Sequence, residues 1–356
     1  MSQPALSERE RQILEAVIRT YVDTAEPAGS RTVARRFELG VSAATIRNAM
    51  SDLEEKGFLY HPHTSAGRIP TDQAYRYYVD GLMGPLRLAA SVQKQLRKEI
   101  RETQEAGGAL DRLLRRALRV LSLITGELGL AVAPRLDDVV LEKIELVRIS
   151  SEKILLVLTL KNGVVRTVYV DVAAAAPTEA LAALTMILNE RLAGMSLTEV
   201  RATLGDRLRD AFDEGQTQEM MNIFLQSATE LLGPTTMSDG ELLMGQASVL
   251  ASQPEFAEGA QLRSLIELTE QRDLLKSVLE ARAREGSPTI TIGSEHGYPQ
   301  LSPFTLITSE YRLGPLTGVL GVMGPTRMPY EKVAAIVEYT SLLMGEIAVS
   351  AEASNR

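Results

Sequence analysis

The stretch HPHTSAGRIPTDQAYRYYVD, residues 61–80, gathers residue types that could do two kinds of chemistry. His61 and His63 stand two apart, as a metal-binding pair can. Gly67-Arg68 sets a glycine that permits close backbone approach beside a cation suited to phosphate or a minor groove. The metal reading needs a third ligand, and of the 3 histidines in the chain the remaining one is the distant His296, so no metal is expected. The nucleic-acid reading gains from what comes before. Residues 31–47 hold Arg31, Arg35, Arg36 and Arg47 against Glu38, four positive minus one negative, inside a chain of net charge −8. Such a chain as a whole repels nucleic acid, so contact must come from a local patch.

The elements that must position this patch are legible. Ser7-Glu8-Arg9-Glu10 is a capping box. Ile13, Leu14, Val17, Ile18 and Tyr21 then recur at helical spacing. Pro27-Ala28-Gly29 breaks the chain, and Ser30 is expected to cap a short helix holding Val33, Ala34 and Phe37. Gly40 suits a left-handed turn, after which Ser42 caps a third helix, Ala43 to Lys56, ended by Gly57. Its inward stripe is Ile46, Ala49, Met50 and Leu53. Helix, short helix, tight turn, helix is the helix-turn-helix pattern.

Positions 44, 47, 48 and 51 share one face of the third helix, small, polar and cationic. A recognition helix reads bases with its N-terminal residues; Arg suits guanine and Asn adenine. Residues 57–61 and 67–69 are expected to pair as strands around a loop, forming a wing, and histidines there can donate to phosphate when protonated. The candidate DNA-contact set is Arg31, Thr32, Ser42, Ala44, Thr45, Arg47, Asn48, His63, Ser65, Gly67 and Arg68. The blander alternative is a small helical bundle with a solvated charged face. Tyr75, Tyr78, Val79 and Leu82 form one helix face, expected to pack rather than to stack on bases.

Residues 5–83 closely resemble the heat-inducible transcription repressor family, HrcA. The segments PAGSRTVARR, GVSAATIRNAMSDLEEKG and PHTSAGRIPTDQAYRYYVD carry the resemblance. It implies a dimeric repressor of chaperone operons that binds an inverted-repeat operator on double-stranded DNA and is kept active by a GroEL-type chaperonin. It also implies a GAF-like α/β body carrying an inserted, mainly helical dimerisation domain. The expected fold is therefore α+β multidomain. The divisions are a winged helix-turn-helix over 1–83, a connecting helix over 84–108, and a GAF-like first part over 109–172. An inserted dimerisation domain over 173–285 and a GAF-like second part over 286–356 follow.

Residue patterns beyond 83 fit in outline. Leu88, Val92, Leu96 and Ile100 lie four apart on a charged helix ended by Gly107-Gly108, and a second helix spans about 110–125. Residues 139–149, 153–160 and 164–170 read as strands, the last two joined by an Asn162-Gly163 hairpin signal. Helices are expected over about 178–192, 197–212, 218–232 and 261–284, strands over 289–292, 305–309 and 317–323, and a last helix from Pro329-Tyr330.

No cysteine is present, which fits a reducing, cytoplasmic setting. The opening MSQPALSERERQ has no apolar run, so no signal peptide is expected, and no uncharged run approaches the ~20 residues of a membrane span. No phosphate loop or nucleophile elbow appears, and no carboxylate pair has a context for acid–base work, so neither an enzyme nor a cofactor is expected. Gly318, Gly321 and Gly324 read as close packing and a turn. The competing reading is a small-molecule-responsive regulator sensing a ligand through its GAF-like body.

Overall fold

A computed structural model describes residues 5–62, 67–105, 110–134, 139–150, 153–161, 165–171, 177–209, 240–257, 259–282, 288–313 and 316–354. The first unit begins with α1, Glu8–Thr24. Ser7 and Glu10 form the expected capping box, worth about 1 kcal/mol to the helix start. Glu10 also pairs with Lys56 at the end of α3, Ala43–Glu55, which holds its carboxyl below the usual range. Between them lies α2, Ser30–Arg36. Here the sequence misleads: Gly29, not Ser30, is the residue before the first turn, and no side chain caps it. The cause is tertiary. Ala28 and Arg68 exchange backbone hydrogen bonds of 2.8 and 3.0 Å, which pins the chain in extended form up to Gly29.

Ser42 caps α3 through the Thr45 amide, and the buried stripe is Ile46, Ala49, Met50 and Leu53. Ile46 and Leu53 are fully buried, each contributing about 1.5–3 kcal/mol. The following hairpin is short: β1, Leu59–Tyr60, pairs antiparallel with β2, Ile69–Pro70. Thr71 caps α4, Asp72–Tyr77, which continues as a π-turn to Leu82. Tyr75 and Tyr78 are buried in packing, as the spacing of that face requires.

The body is built on a five-stranded antiparallel sheet in the order β7-β3-β10-β9-β8. These strands are β3, Leu128–Val132, β7, Leu242–Met244, β8, Thr289–Ile292, β9, Phe304–Leu313, and β10, Leu316–Pro325. One face packs on α6, Leu110–Thr125, and α12, Tyr330–Ser354, and α5, Ala90–Glu105, packs on those two helices. After the short α9, Ser248–Ala251, come α10, Gly259–Glu270, and α11, Arg272–Arg282, which cover the other face. The helix expected over 261–284 is thus two helices that meet at Gln271. Val92, Leu96 and Ile100 share α5 as expected, but Leu88 lies before it, since α5 begins at Ala90. Leu96 and Ile100 are fully buried, so α5 is part of the body's packing. At Gly318, Gly321 and Gly324 a Cβ would meet the Tyr311 ring, the Ile307 carbonyl and the Glu127 carboxyl, which is the close packing expected.

The strands β4, Leu141–Arg148, β5, Lys153–Leu160, and β6, Val165–Asp171, form a separate three-stranded sheet. It does not join the strands after residue 286. One face is closed by α7, Thr178–Leu192, with α8, Leu197–Arg209, alongside. Asn189 of α7 ties down edge strand β4, taking the Ile144 amide at 2.8 Å and donating to its carbonyl at 2.7 Å. The chain thus leaves the main sheet after β3 and rejoins it at β7. The turn at 162–163 and the helix expected over 218–232 lie outside the described residues. Among the described residues no helix is long and apolar enough to cross a membrane.

Candidate nucleic-acid interface

α2, α3 and the hairpin enclose an open cleft of about 750 Å³. Arg31, Ala44, Arg47, Asn48, Gly67 and Arg68 line it, with Ser30, Ser51 and His61 beside them. Of the expected contact residues, Arg31, Thr32, Ser42, Ala44, Arg47 and Asn48 are exposed. Thr45 is half-buried; its hydroxyl lies 3.0 Å from that of Ser42 and its amide donates to Ser42 at 3.2 Å, so both belong to the helix cap. Thr32, Ser42 and Thr45 do not line the cleft. His63 and Ser65 lie outside the described residues.

The exposed face of α3 is what a groove-reading helix requires. Small Ala44 lets the helix approach, and Arg47 and Asn48 project beyond it without burial. Among the described residues, no carboxylate comes within ion-pair distance of Arg31, Arg35 or Arg47. Arg36 is different. It pairs with Asp23 of α1 and lies 5.8 Å from the Phe37 ring centroid, so the cationic patch is smaller than the sequence count.

Arg68 and Gly67 both have close partners within the chain. The Arg68 side chain is only 13% exposed, and its Nη2 donates to Glu54 Oε2 at 2.8 Å. It is a strut of the cleft, with Nε buried and lacking a protein partner among the described residues. Glu54 Oε1 meets His61 Nδ1 at 2.8 Å, so one carboxylate at the end of α3 holds two hairpin side chains. This hub was missed because nothing local joins Glu54 to Arg68. The close approach that Gly67 permits is to its own chain: a Cβ there would stand 2.4 Å from the Ala28 carbonyl. Among the described residues no cluster of three or more His, Asp or Glu side chains could hold a metal.

A sequence profile described as the HrcA protein C terminal domain matches residues 111–334. A protein named Heat-inducible transcription repressor HrcA from Geobacter sulfurreducens is 37% identical over 345 residues, covering 96% of this chain and 98% of its own. The protein of that name from Chlorobium chlorochromatii is 36% identical over 335 residues, covering 94% and 95%. A crystal structure of a hypothetical protein covers 97% of this chain and 98% of its own, with a TM-score of 0.69 and 24% identity, a likeness of fold. By profile and by near-full-length identity, the chain belongs to the HrcA family of heat-inducible transcription repressors.

Proposed function

We propose that this chain represses transcription by binding an inverted-repeat operator as a dimer, with residues 5–83 acting as a winged helix-turn-helix. The observation that carries the reading is the α3 face: Ala44, Arg47 and Asn48 exposed together on a cleft that Arg31 also lines. In this reading α3 enters the major groove, Arg47 and Asn48 meet base edges, and Arg31 meets backbone phosphate. The hairpin supports the cleft wall through Arg68 and Glu54; His63 and Ser65 are assigned to phosphate contact by residue type alone. Arg31→Ala then weakens binding at all duplexes alike and reduces the slope of log affinity against log salt by about one. A salt titration in which the slope stays unchanged removes Arg31 from the phosphate contacts.

The five-stranded sheet with its helices is read as the GAF-like body. In this reading the insert comprises β4–β6 with α7 and α8, a mixed α/β unit that starts near 139. Two-fold operators call for two-fold proteins. The open face of the β4–β6 sheet sets Val147, Leu155 and Tyr169 in one row, with Tyr169 67% exposed and Val147 46% exposed. We assign the contact between copies to that row. Tyr169→Lys is expected to shift the chain toward monomer in sedimentation while its melting temperature holds; an undiminished dimer moves the contact elsewhere.

Chaperonin dependence is what the family resemblance implies, and the topology of the chain is in keeping with it. A body whose main sheet is interrupted by a whole inserted unit has many non-local pairings, which slow folding and expose intermediates. The cleft of α2, α3 and the hairpin lies on the reading unit, so it lends no support to the ligand-sensing alternative.

A further inference from the structure

The reading unit is joined to the body by more than its chain. α4 lies against β8 and the turn that follows it. Arg76 donates from Nε to Glu295 Oε1 at 2.7 Å and from Nη2 to Glu295 Oε2 at 2.6 Å, a two-pronged pair. Its Nη2 also reaches the Ile290 carbonyl at 2.6 Å. One turn earlier, Asp72 accepts from the Ser294 amide at 3.0 Å and the Ser294 hydroxyl at 3.2 Å. Gly293 makes room for this: its φ is +53°, and a Cβ there would stand 2.0 Å from an Asp72 carboxylate oxygen.

Other parts of the unit are fixed as well. The Tyr75 and Tyr330 rings, both fully buried, lie 5.6 Å apart. Tyr78 donates its hydroxyl to Glu331 at 3.1 Å, and Arg327 donates to the Val22 carbonyl of α1 at 2.7 Å. These contacts hold the unit against the body but differ in what they specify. An apolar ring pair tolerates sliding and rotation. A guanidinium forked onto a carboxylate fixes both distance and angle. Arg76 and Glu295 are 24% and 32% exposed, sheltered enough for the pair to resist screening by salt.

We propose that Arg76, acting through Glu295, is a positioning residue: it sets the angle of the reading unit on the body and thereby the half-site spacing that the dimer accepts. The proposal rests on the dimeric DNA-binding reading above and adds to it the element that makes two α3 helices arrive in phase. Half-sites read by a two-fold protein lie a helical turn or a multiple of it apart, and a unit free to swing satisfies many spacings poorly. When the unit swings, the second half-site is met at a lower effective concentration, and the advantage of two sites over one shrinks.

The test uses the full-length chain and a chaperone-promoter duplex containing the inverted repeat. Two altered duplexes accompany it: one with a half-repeat scrambled, one with five base pairs, about half a helical turn, inserted between the halves. The unaltered chain is expected to prefer the intact duplex strongly over both. Arg76→Met is expected to lose about tenfold for the intact duplex, to bind the single half-repeat as before, and to pay a much smaller penalty for the insertion. Glu295→Gln keeps side-chain size and an acceptor for the Ile292 amide, so it separates positioning from folding, and the same pattern is expected of it. If both variants keep the spacing preference of the unaltered chain, Arg76 does not position the unit. A uniform loss on all three duplexes also overturns the proposal, because it marks general damage to the reading unit. Failure of the unaltered chain to bind any of the duplexes is a separate result, which removes the DNA-binding reading beneath the proposal.

Discussion

Arg47→Ala is expected to cost about 1–3 kcal/mol of operator affinity and to flatten the preference among bases at one position of each half-site. The reasons are positional. Arg47 lies one turn into α3, on the exposed face that also carries Ala44 and Asn48, and among the described residues its guanidinium has no carboxylate to leave behind on binding. Its removal creates no cavity, since Ile46, Ala49 and Met50 on the other side of the helix form the core. The melting temperature therefore stays put while specificity falls. Arg68→Ala is expected to act by another route, because Arg68 is held by Glu54 and shares a backbone bridge with Ala28. Competition titrations against duplexes substituted one base pair at a time distinguish the two: an unchanged preference after Arg47→Ala means that α3 does not read bases.

Glu127→Gln is expected to make the protein more stable at pH 8 while leaving it nearly unchanged near pH 4.5. Glu127 sits just before β3 and is 3% exposed. Burial away from water pushes its carboxyl up to about 8. The Gln253 amide, which donates at 2.9 Å, and the charge of Arg327 oppose that rise, while Glu255 adds to it. In the folded state this group keeps a proton that the unfolded chain releases near pH 4.5. Its stabilising contribution is thus fully present below about pH 4.5, declines as pH rises to about 8, and is constant beyond. The decline amounts to roughly 2–5 kcal/mol. Glutamine keeps an acceptor for Gln253 and carries no proton to lose, so the variant escapes the decline. Urea unfolding across this range checks it; parallel pH profiles for the two proteins would show that Glu127 ionises normally.

Local chemistry made much of the reading unit legible. The Ser7 box, the Ser42 cap and the four-residue stripe of α3 are all short-range features, and each occurs where the sequence puts it. Ser30 fails as a cap because the bridge between Ala28 and Arg68, forty residues apart, decides where α2 can begin. The same distance hides the Glu54–Arg68 pair.

The strands β4–β6 are legible from their apolar, β-branched content and the Asn162-Gly163 turn signal, but such content carries no information on which sheet a strand joins. β3 is buried at all five positions and shows no alternation, and β7 is three residues long, so the two strands that frame the insert left no pattern to read. The docking of α4 on β8 through Arg76, Asp72, Glu295 and Ser294 joins residues more than two hundred positions apart, beyond any local signal.

The central claim, that α3 and its cleft read an inverted repeat, is tested most directly by titrating the full-length chain against a chaperone-promoter duplex and its scrambled counterpart at one physiological salt concentration. A preference of about 10³-fold or more for the intact repeat, with nuclease protection over both halves, is the predicted result. Equal affinity for the two duplexes, with no protected repeat, would contradict it.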